Sequence, residues 1–268
     1  MVWLSPMFVK ILSLLFISYQ AAQAAPSALE IMQKNEEARK LPSLKSSAVL
    51  VTGDQSKTSK KEFTWWRKLA GDDRFNTLTR FQAPATIKGQ GILFLEHKAG
   101  ENEVLLYLPA FKKVRRVENQ QQSSSFMGSE FSYSDITAQH LDDYKYKILG
   151  NEKCINDAKV FCFLIESTPA SLMIQERTNY SKVISWVRSD NFMIEKSEYY
   201  DLKNEIFKRL VASNIKEIDS KNHKWFTHFI RMDQIKLNRF TTLEFKTLQK
   251  DENVPDSYFT VNYLSSER

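Results

Sequence analysis

Between residues 46 and 249, apolar side chains recur in runs of strand length, and polar turn residues cut each run from the next. DRFNTLTRFQ at 73–82 shows the pattern most clearly. Side chains alternate across a strand, so Phe75, Thr77, Thr79 and Phe81 share one face and Arg74, Asn76, Leu78 and Arg80 the other. KEFTWWRKL at 61–69 precedes it, and Gly71-Asp72 between the two is a hairpin signal. SSAVLVTGD reads as an earlier strand, and 90–97 with 103–109 as a second hairpin about Ala99-Gly100. After residue 143 come YKYKIL, KVFCFLIES, RTNYSKVISWVRS, NFMIEKSEYYD, EIFKRLVASNIKEID, HKWFTHFIRMDQI and RFTTLEFKTLQ. Asp190-Asn191, Asp201 and Lys221-Asn222 are among the turns that separate them. Such connections are too short for parallel crossovers, so the sheet is expected to meander antiparallel. Roughly a dozen strands in one sheet must curl.

Helical patterning interrupts this in three places. PSALEIMQKNEEARK at 26–40 is rich in helix formers, with Pro26 suited to a first turn and Pro42 as a stop. TAQHLDDY at 137–144 predicts a short helix led in by Ser132 to Asp135, and NVPDSYFTVNYLSSER predicts a terminal helix or strap from Pro255-Asp256. The fold class is therefore mainly β: a large curved antiparallel sheet, with the N-terminal helix and a central helical insertion packed on its concave face.

The N-terminus carries another pattern. Lys10 is the only charge before residue 25, ILSLLFISY follows it, and Ala22-Gln23-Ala24 has the small-x-small form of a cleavage site. The apolar run falls short of the ~20 residues that span a bilayer. Residues 1–24 are expected to be a cleaved signal peptide, with an uncleaved anchor as the alternative, and 25–268 one domain. Loss of Lys10 lowers the net charge from +6 to +5, with the basic residues spread along the chain. An exported, mildly basic protein suits an anionic membrane surface or acidic partner better than nucleic acid. Export also permits a disulfide between Cys154 and Cys162, which flank the Asn156-Asp157 turn signal of CINDAKVFC. Two buried free thiols are the alternative.

Catalytic signals are weak. There is no G-x-S-x-G, and His97, His140, His223 and His228 lack the i, i+4 spacing of a helical zinc site. Seven glycines draw no phosphate-cradling loop, and Asp142-Asp143 reads as a solvated loop pair. No enzyme activity, metal or cofactor is expected. The aromatic fraction, 12%, is the positive signal. A curved sheet whose apolar concave face is incompletely filled leaves a greasy cavity, which Trp65, Phe75, Phe94, Tyr107, Trp186 and Phe192 are candidates to line; the alternative is plain core. KKVRR has two readings: an edge strand protected by its cations, or a docking patch in which Lys112, Lys113, Arg115 and Arg116 meet lipid headgroups or an acidic partner. After the Gln/Ser run at 120–125, Phe126 and Met127 stand beside Gly128 and Ser129. They read either as an apolar plug with a glycine hinge, or as the start of a helix with Ser129 as N-cap and Glu130 in its first turn.

Three blocks carry a resemblance: PATIKGQGILFL at 84–95, LYLPAFKKVRRV at 106–117 and FMGSEFSYSDI at 126–136. They resemble the outer membrane lipoprotein-sorting protein family, LolA-like periplasmic proteins often found beside RND/MMPL-type transporters. The tail DSYFTVNYL, the Cys154–Cys162 segment and ESTP at 166–169 extend the likeness; Glu130 stands where the family usually has Asp. The resemblance implies an incomplete β-barrel with helices over its mouth and an apolar cavity, to which Phe126 and Met127 would contribute. It implies carriage of lipoprotein acyl chains or lipid through the periplasm towards the outer membrane, with transient membrane contact and no catalytic residue. The alternative function is a non-enzymatic adaptor of an RND/MMPL-type transporter.

Overall fold

The computed structural model describes residues 25–71, 74–97, 102–137, 140–250 and 253–266. The expected signal segment at 1–24, Asp72 and the expected Ala99-Gly100 turn lie outside the described residues.

The first six strands are β1 (Ser43–Gly53), β2 (Thr58–Ala70), β3 (Arg74–Ala83), β4 (Gly91–Leu95), β5 (Glu103–Leu108) and β6 (Lys113–Arg116). The remaining seven are β7 (Tyr144–Lys153), β8 (Phe161–Pro169), β9 (Lys182–Arg188), β10 (Ile194–Tyr200), β11 (Ile206–Asp219), β12 (Lys224–Gln234) and β13 (Arg239–Lys250). They form one sheet in the order β6-β5-β4-β3-β2-β1-β13-β12-β11-β10-β9-β8-β7. The pairings are antiparallel throughout, as short connections require. The chain begins at the sheet centre with β1 and meanders out to the edge strand β6. It crosses to the opposite edge at β7 and meanders back until β13 closes against β1. The sheet curls into an incomplete barrel, and the segment that joins its two free edges is the central insertion, residues 117–143.

Among the described residues four helices accompany the sheet: α1 (Ala28–Ala38), α2 (Tyr133–Ile136), α3 (Leu172–Thr178) and α4 (Val261–Ser265). Ser27, not Pro26, starts α1: its hydroxyl accepts from Glu30 N at 3.2 Å while the Glu30 carboxylate accepts from Ser27 N at 2.6 Å. Ala28, Ile31, Asn35 and Ala38 form its buried stripe, at the i, i+3, i+4 spacing of one helical face. Ile31 packs with Ile165 and Val187, and Asn35 Nδ2 donates to Phe192 O at 2.7 Å.

Two helical expectations are corrected. The central helix α2 comes before TAQHLDDY, because Ser132 and Asp135 make a reciprocal capping box that starts the turn at 132; Leu141–Asp143 is a 3-10 turn and Tyr144 opens β7. RTNYSKVISWVRS is not strand from its first residue. Ser171 caps α3, Asn179 ends it in the left-handed region at φ 60°, and β9 begins only at Lys182. The tail forms a 3-10 turn, Asp256–Phe259, followed by α4.

The sheet has two apolar faces. The inner one gathers Phe63, Phe81, Ile92, Phe94, Val104, Met232 and Leu243 under the central insertion. The outer one gathers Leu78, Leu93, Leu105 and Tyr107 under Phe259 and Leu264 of the tail. Alternation along β3, β4 and β5 sends neighbouring residues to these opposite faces. Burying each large aliphatic or aromatic side chain stabilises the fold by about 1.5–3 kcal/mol, so both faces hold the sheet.

Candidate functional site

The site is the inner apolar face and the insertion folded across it. Ser125 and Ser132 form a β-bridge, and Phe126 N donates to Phe131 O at 2.8 Å, so residues 125–132 close into a loop. Met127 at φ 52° and Gly128 at φ 71° turn the chain at its tip. A Cβ on Gly128 would meet nothing within 4 Å, so glycine serves the backbone conformation there rather than a tight fit. The turn drives the Phe126 ring inward, 6.4 Å from Phe94 and 5.6 Å from Tyr133 between centroids. Ser129 is not an N-cap; that role belongs to Ser132.

Two polar anchors tie the insertion to the sheet. Glu130, 7% exposed, pairs with Arg239 of β13 at 2.9 Å, and its backbone N–H donates to Thr241 Oγ1 at 2.9 Å. Asp135 forms the second anchor. It accepts from Tyr180 Oη at 2.7 Å and pairs with Lys208 of β11 at 3.4 Å, and Lys208 Nζ also donates to Tyr180 Oη at 3.2 Å. Lys208 lies opposite Tyr199 in the β10–β11 register and is buried, so its ammonium has exchanged water for this triad. Burial and the neighbouring Asp135 charge push the Tyr180 phenol well above its ordinary pKa, which keeps it a hydrogen-bond donor.

Sequence reasoning missed both anchors. The signal for the second was a lysine at an inward strand position, two residues from the apolar Leu210.

The aromatic candidates divide among several places. Trp65, Phe94, Phe126 and Met127 meet in or against the inner cluster, and Trp65 also packs 5.4 Å from Phe245. Phe75 is buried farther along β3, with the Arg67 guanidinium 3.6 Å above its ring. Phe192 packs beside α1. Tyr107 lies under the tail on the outer face. Trp186 packs with Cys154 and Cys162, donates to Glu152 Oε2 at 3.0 Å and lies under Lys196 at 3.8 Å. Cys154 and Cys162 are joined by a disulfide, as one of the two sequence alternatives had it. Cys154, Cys162 and the buried Glu195 converge, but the bonded sulfurs offer no thiolate for a metal.

The basic patch runs from Lys112, at the end of a 3-10 turn, into β6, which among the described residues pairs with β5 alone and forms one edge of the sheet. Lys112, Lys113, Arg115 and Arg116 are exposed, as is Phe111 at 70%, and Arg115 donates to Gln121 Oε1 at 3.2 Å. Asp142 is exposed, whereas Asp143 is held by Arg177 at 2.6 Å rather than left solvated. The histidines are dispersed. His97 faces Glu103, His140 contacts Arg74, His223 occupies a turn beside Glu217, and His228 meets Asn214 O.

A family model described as "Uncharacterized protein" matches residues 73–266. None of the curated proteins matches the chain by sequence. Solved structures do match. A domain assigned as an outer membrane lipoprotein-sorting protein from Vibrio parahaemolyticus has a TM-score of 0.81 at 24% identity, covering 89% of this chain and 98% of that one. A DUF1329 family protein from Desulfovibrio piger has a TM-score of 0.81 at 26% identity, covering 88% and 97%. A LolA superfamily protein from Nitrosomonas europaea has a TM-score of 0.68 at 22% identity, covering 89% and 100%.

Proposed function

The chain belongs to the family whose model matches residues 73–266, and we propose, from a fold shared with LolA-like lipoprotein-sorting structures, that it is a non-enzymatic periplasmic carrier. It shelters the acyl chains of a lipoprotein or lipid against the inner face of its sheet and hands them on towards the outer membrane. The reading takes residues 1–24 as an export signal and 25–268 as one carrier domain. A disulfide fits an oxidising compartment.

The observation that carries the proposal is the apolar inner face closed by a short insertion with an apolar plug, Phe126 and Met127. An acyl chain crossing water exposes apolar surface at about 0.8 kcal/mol per methylene, so a carrier must offer a sleeve of this chemistry. It must also release its cargo. The insertion suits that: it is held by two ion-paired anchors and turns on Gly128, and Met127 is a flexible filler able to follow tails of different shape. Trp65, Phe94, Phe126 and Met127 would touch the cargo.

Binding of a fluorescent fatty-acid probe tests this. Phe126→Asp is expected to weaken the probe at least about tenfold. Trp186→Asp, on the disulfide side of the sheet, is expected to change it little. Equal binding by wild type and Phe126→Asp, in folded protein, would remove the inner face as the site.

The exposed β6 edge favours a second reading, a transporter adaptor docking through Lys112, Lys113, Arg115 and Arg116. Charge reversal there separates the two. A carrier keeps its probe affinity and loses membrane or partner docking, whereas a protein that binds no probe and loses only docking is an adaptor.

A further inference from the structure

At one end of the inner face the apolar lining gives way to charge. Arg67 of β2 lies opposite Thr77, and Thr77 lies opposite Phe94 of the apolar cluster. The Arg67 guanidinium rests 3.6 Å over the Phe75 ring, and Phe75 N donates to Glu96 Oε2 at 2.9 Å. Arg39 and Glu36 come to the same place from the last turn of α1, where their charges act on Arg67 and on Tyr146 of β7. Arg74 completes the group. Its Nη1 contacts His140 Nδ1, and its Nε is buried with no hydrogen-bond partner among the described residues.

Asp143 and Arg177 satisfy one another, and Arg39, Arg67 and Arg74 stand among Glu36, Glu96 and the exposed Asp142. Among the described residues the Arg67 guanidinium rests over an aromatic ring rather than in a carboxylate pair. Burial, and then the like charge of Arg39, lower its pKa to about 10. Burial likewise raises the Glu96 pKa, against the hydrogen bond from Phe75 and the Arg67 and Arg74 charges, which lower it. Two guanidiniums that repel each other beside a ring, with an orphaned third nitrogen near them, make a place where an added anion relieves cost. Guanidinium forks match carboxylate and phosphate geometry. Arg39 is exposed, whereas Arg67 and Arg74 are half-buried.

We propose that Arg39, Arg67 and Arg74 form a subsite for the anionic head, carboxylate or phosphate, of an amphiphile whose tail lies on the apolar inner face. This rests on the carrier reading and specifies the class of cargo: a single-headed anionic amphiphile rather than a neutral lipid.

The test compares a fluorescent fatty acid with its methyl ester at about pH 8, where the acid is ionised. Wild-type protein is expected to bind the acid about tenfold more tightly than the ester, the scale of one charge-assisted contact. Arg67→Gln and Arg39→Gln are each expected to remove most of that preference while leaving ester affinity unchanged. Equal binding of acid and ester by wild type overturns the head-group subsite and leaves the carrier standing. Binding of neither fails the carrier, and the subsite with it. Circular dichroism reports folding. If Arg67→Gln does not fold, the exposed Arg39→Gln decides, and an undiminished acid preference in it overturns the proposal. Dodecyl phosphate is expected to displace the acid probe and inorganic phosphate is not. Displacement by inorganic phosphate at the same concentration would mark an ion site without a tail and contradict the proposal.

Discussion

Lys208 shows how one residue ties the insertion to the sheet. Its ammonium is buried between Asp135 and Tyr180, and burial of a single charge costs far more than burial of a compensated pair. Lys208→Met is therefore expected to destabilise the protein by about 3 kcal/mol in urea unfolding, because Asp135 is left buried and unpaired. Adding Asp135→Asn should restore a good part of that loss; a double variant no more stable than the single one would show that the two charges do not compensate each other. His140 gives a pH dependence. Burial, and then the Arg74 charge, lower its pKa below the ordinary 6.5. The unfolded chain thus binds a proton that the native protein refuses, and stability is lost as the pH falls through 6.5 towards the depressed native value. His140→Gln should flatten the stability curve in that window. A curve still as steep would assign the acid sensitivity to other groups. These residues were poorly legible in the sequence, since a lysine or histidine in a strand-like run carries no mark of the partner that topology brings to it.

At the scale of elements, legibility followed packing. Strands such as β3 were readable because one face is buried and the alternation has a direct physical cause. α3 was not readable, because it leaves Leu172 and Met173 exposed at 75% and 55% and buries only Ile174 and Thr178, so no apolar stripe announces it. α2 was displaced from its expected place for a similar reason: four residues are too few to show a period, and only the Ser132–Asp135 box marks it. The β7–β8 hairpin was legible through its cysteines. Cross-linking two positions eight residues apart restricts the unfolded chain, so Cys154→Ser/Cys162→Ser should cost about 2 kcal/mol in urea. Probe affinity should survive, because Trp186 and the disulfide form their own cluster. Loss of binding in the folded variant would tie this cluster to the cargo site.

For the whole molecule, the decisive feature is where the insertion sits in the strand order. The chain leaves the sheet at one free edge and re-enters at the other, so residues 117–143 must cross between the edges whatever their sequence. What the sequence adds is chemistry: Phe126 and Met127 to fill the apolar face, and Glu130 and Asp135 to fasten the crossing. The curved sheet could be foreseen from strand number and turn spacing. The division of aromatics between two faces could not, since it depends on register: Trp65 and Tyr107 both alternate correctly, yet they belong to clusters on opposite sides. The central claim is that the inner face carries an acyl chain. The sharpest test is native mass spectrometry of the protein isolated from its own cells, under conditions that keep non-covalent ligands. A population heavier than the bare chain is expected, one that releases an acyl-bearing lipid or lipoprotein on activation and is depleted in Phe126→Asp. Protein that flies only at its bare mass and takes up no added fatty acid would contradict it.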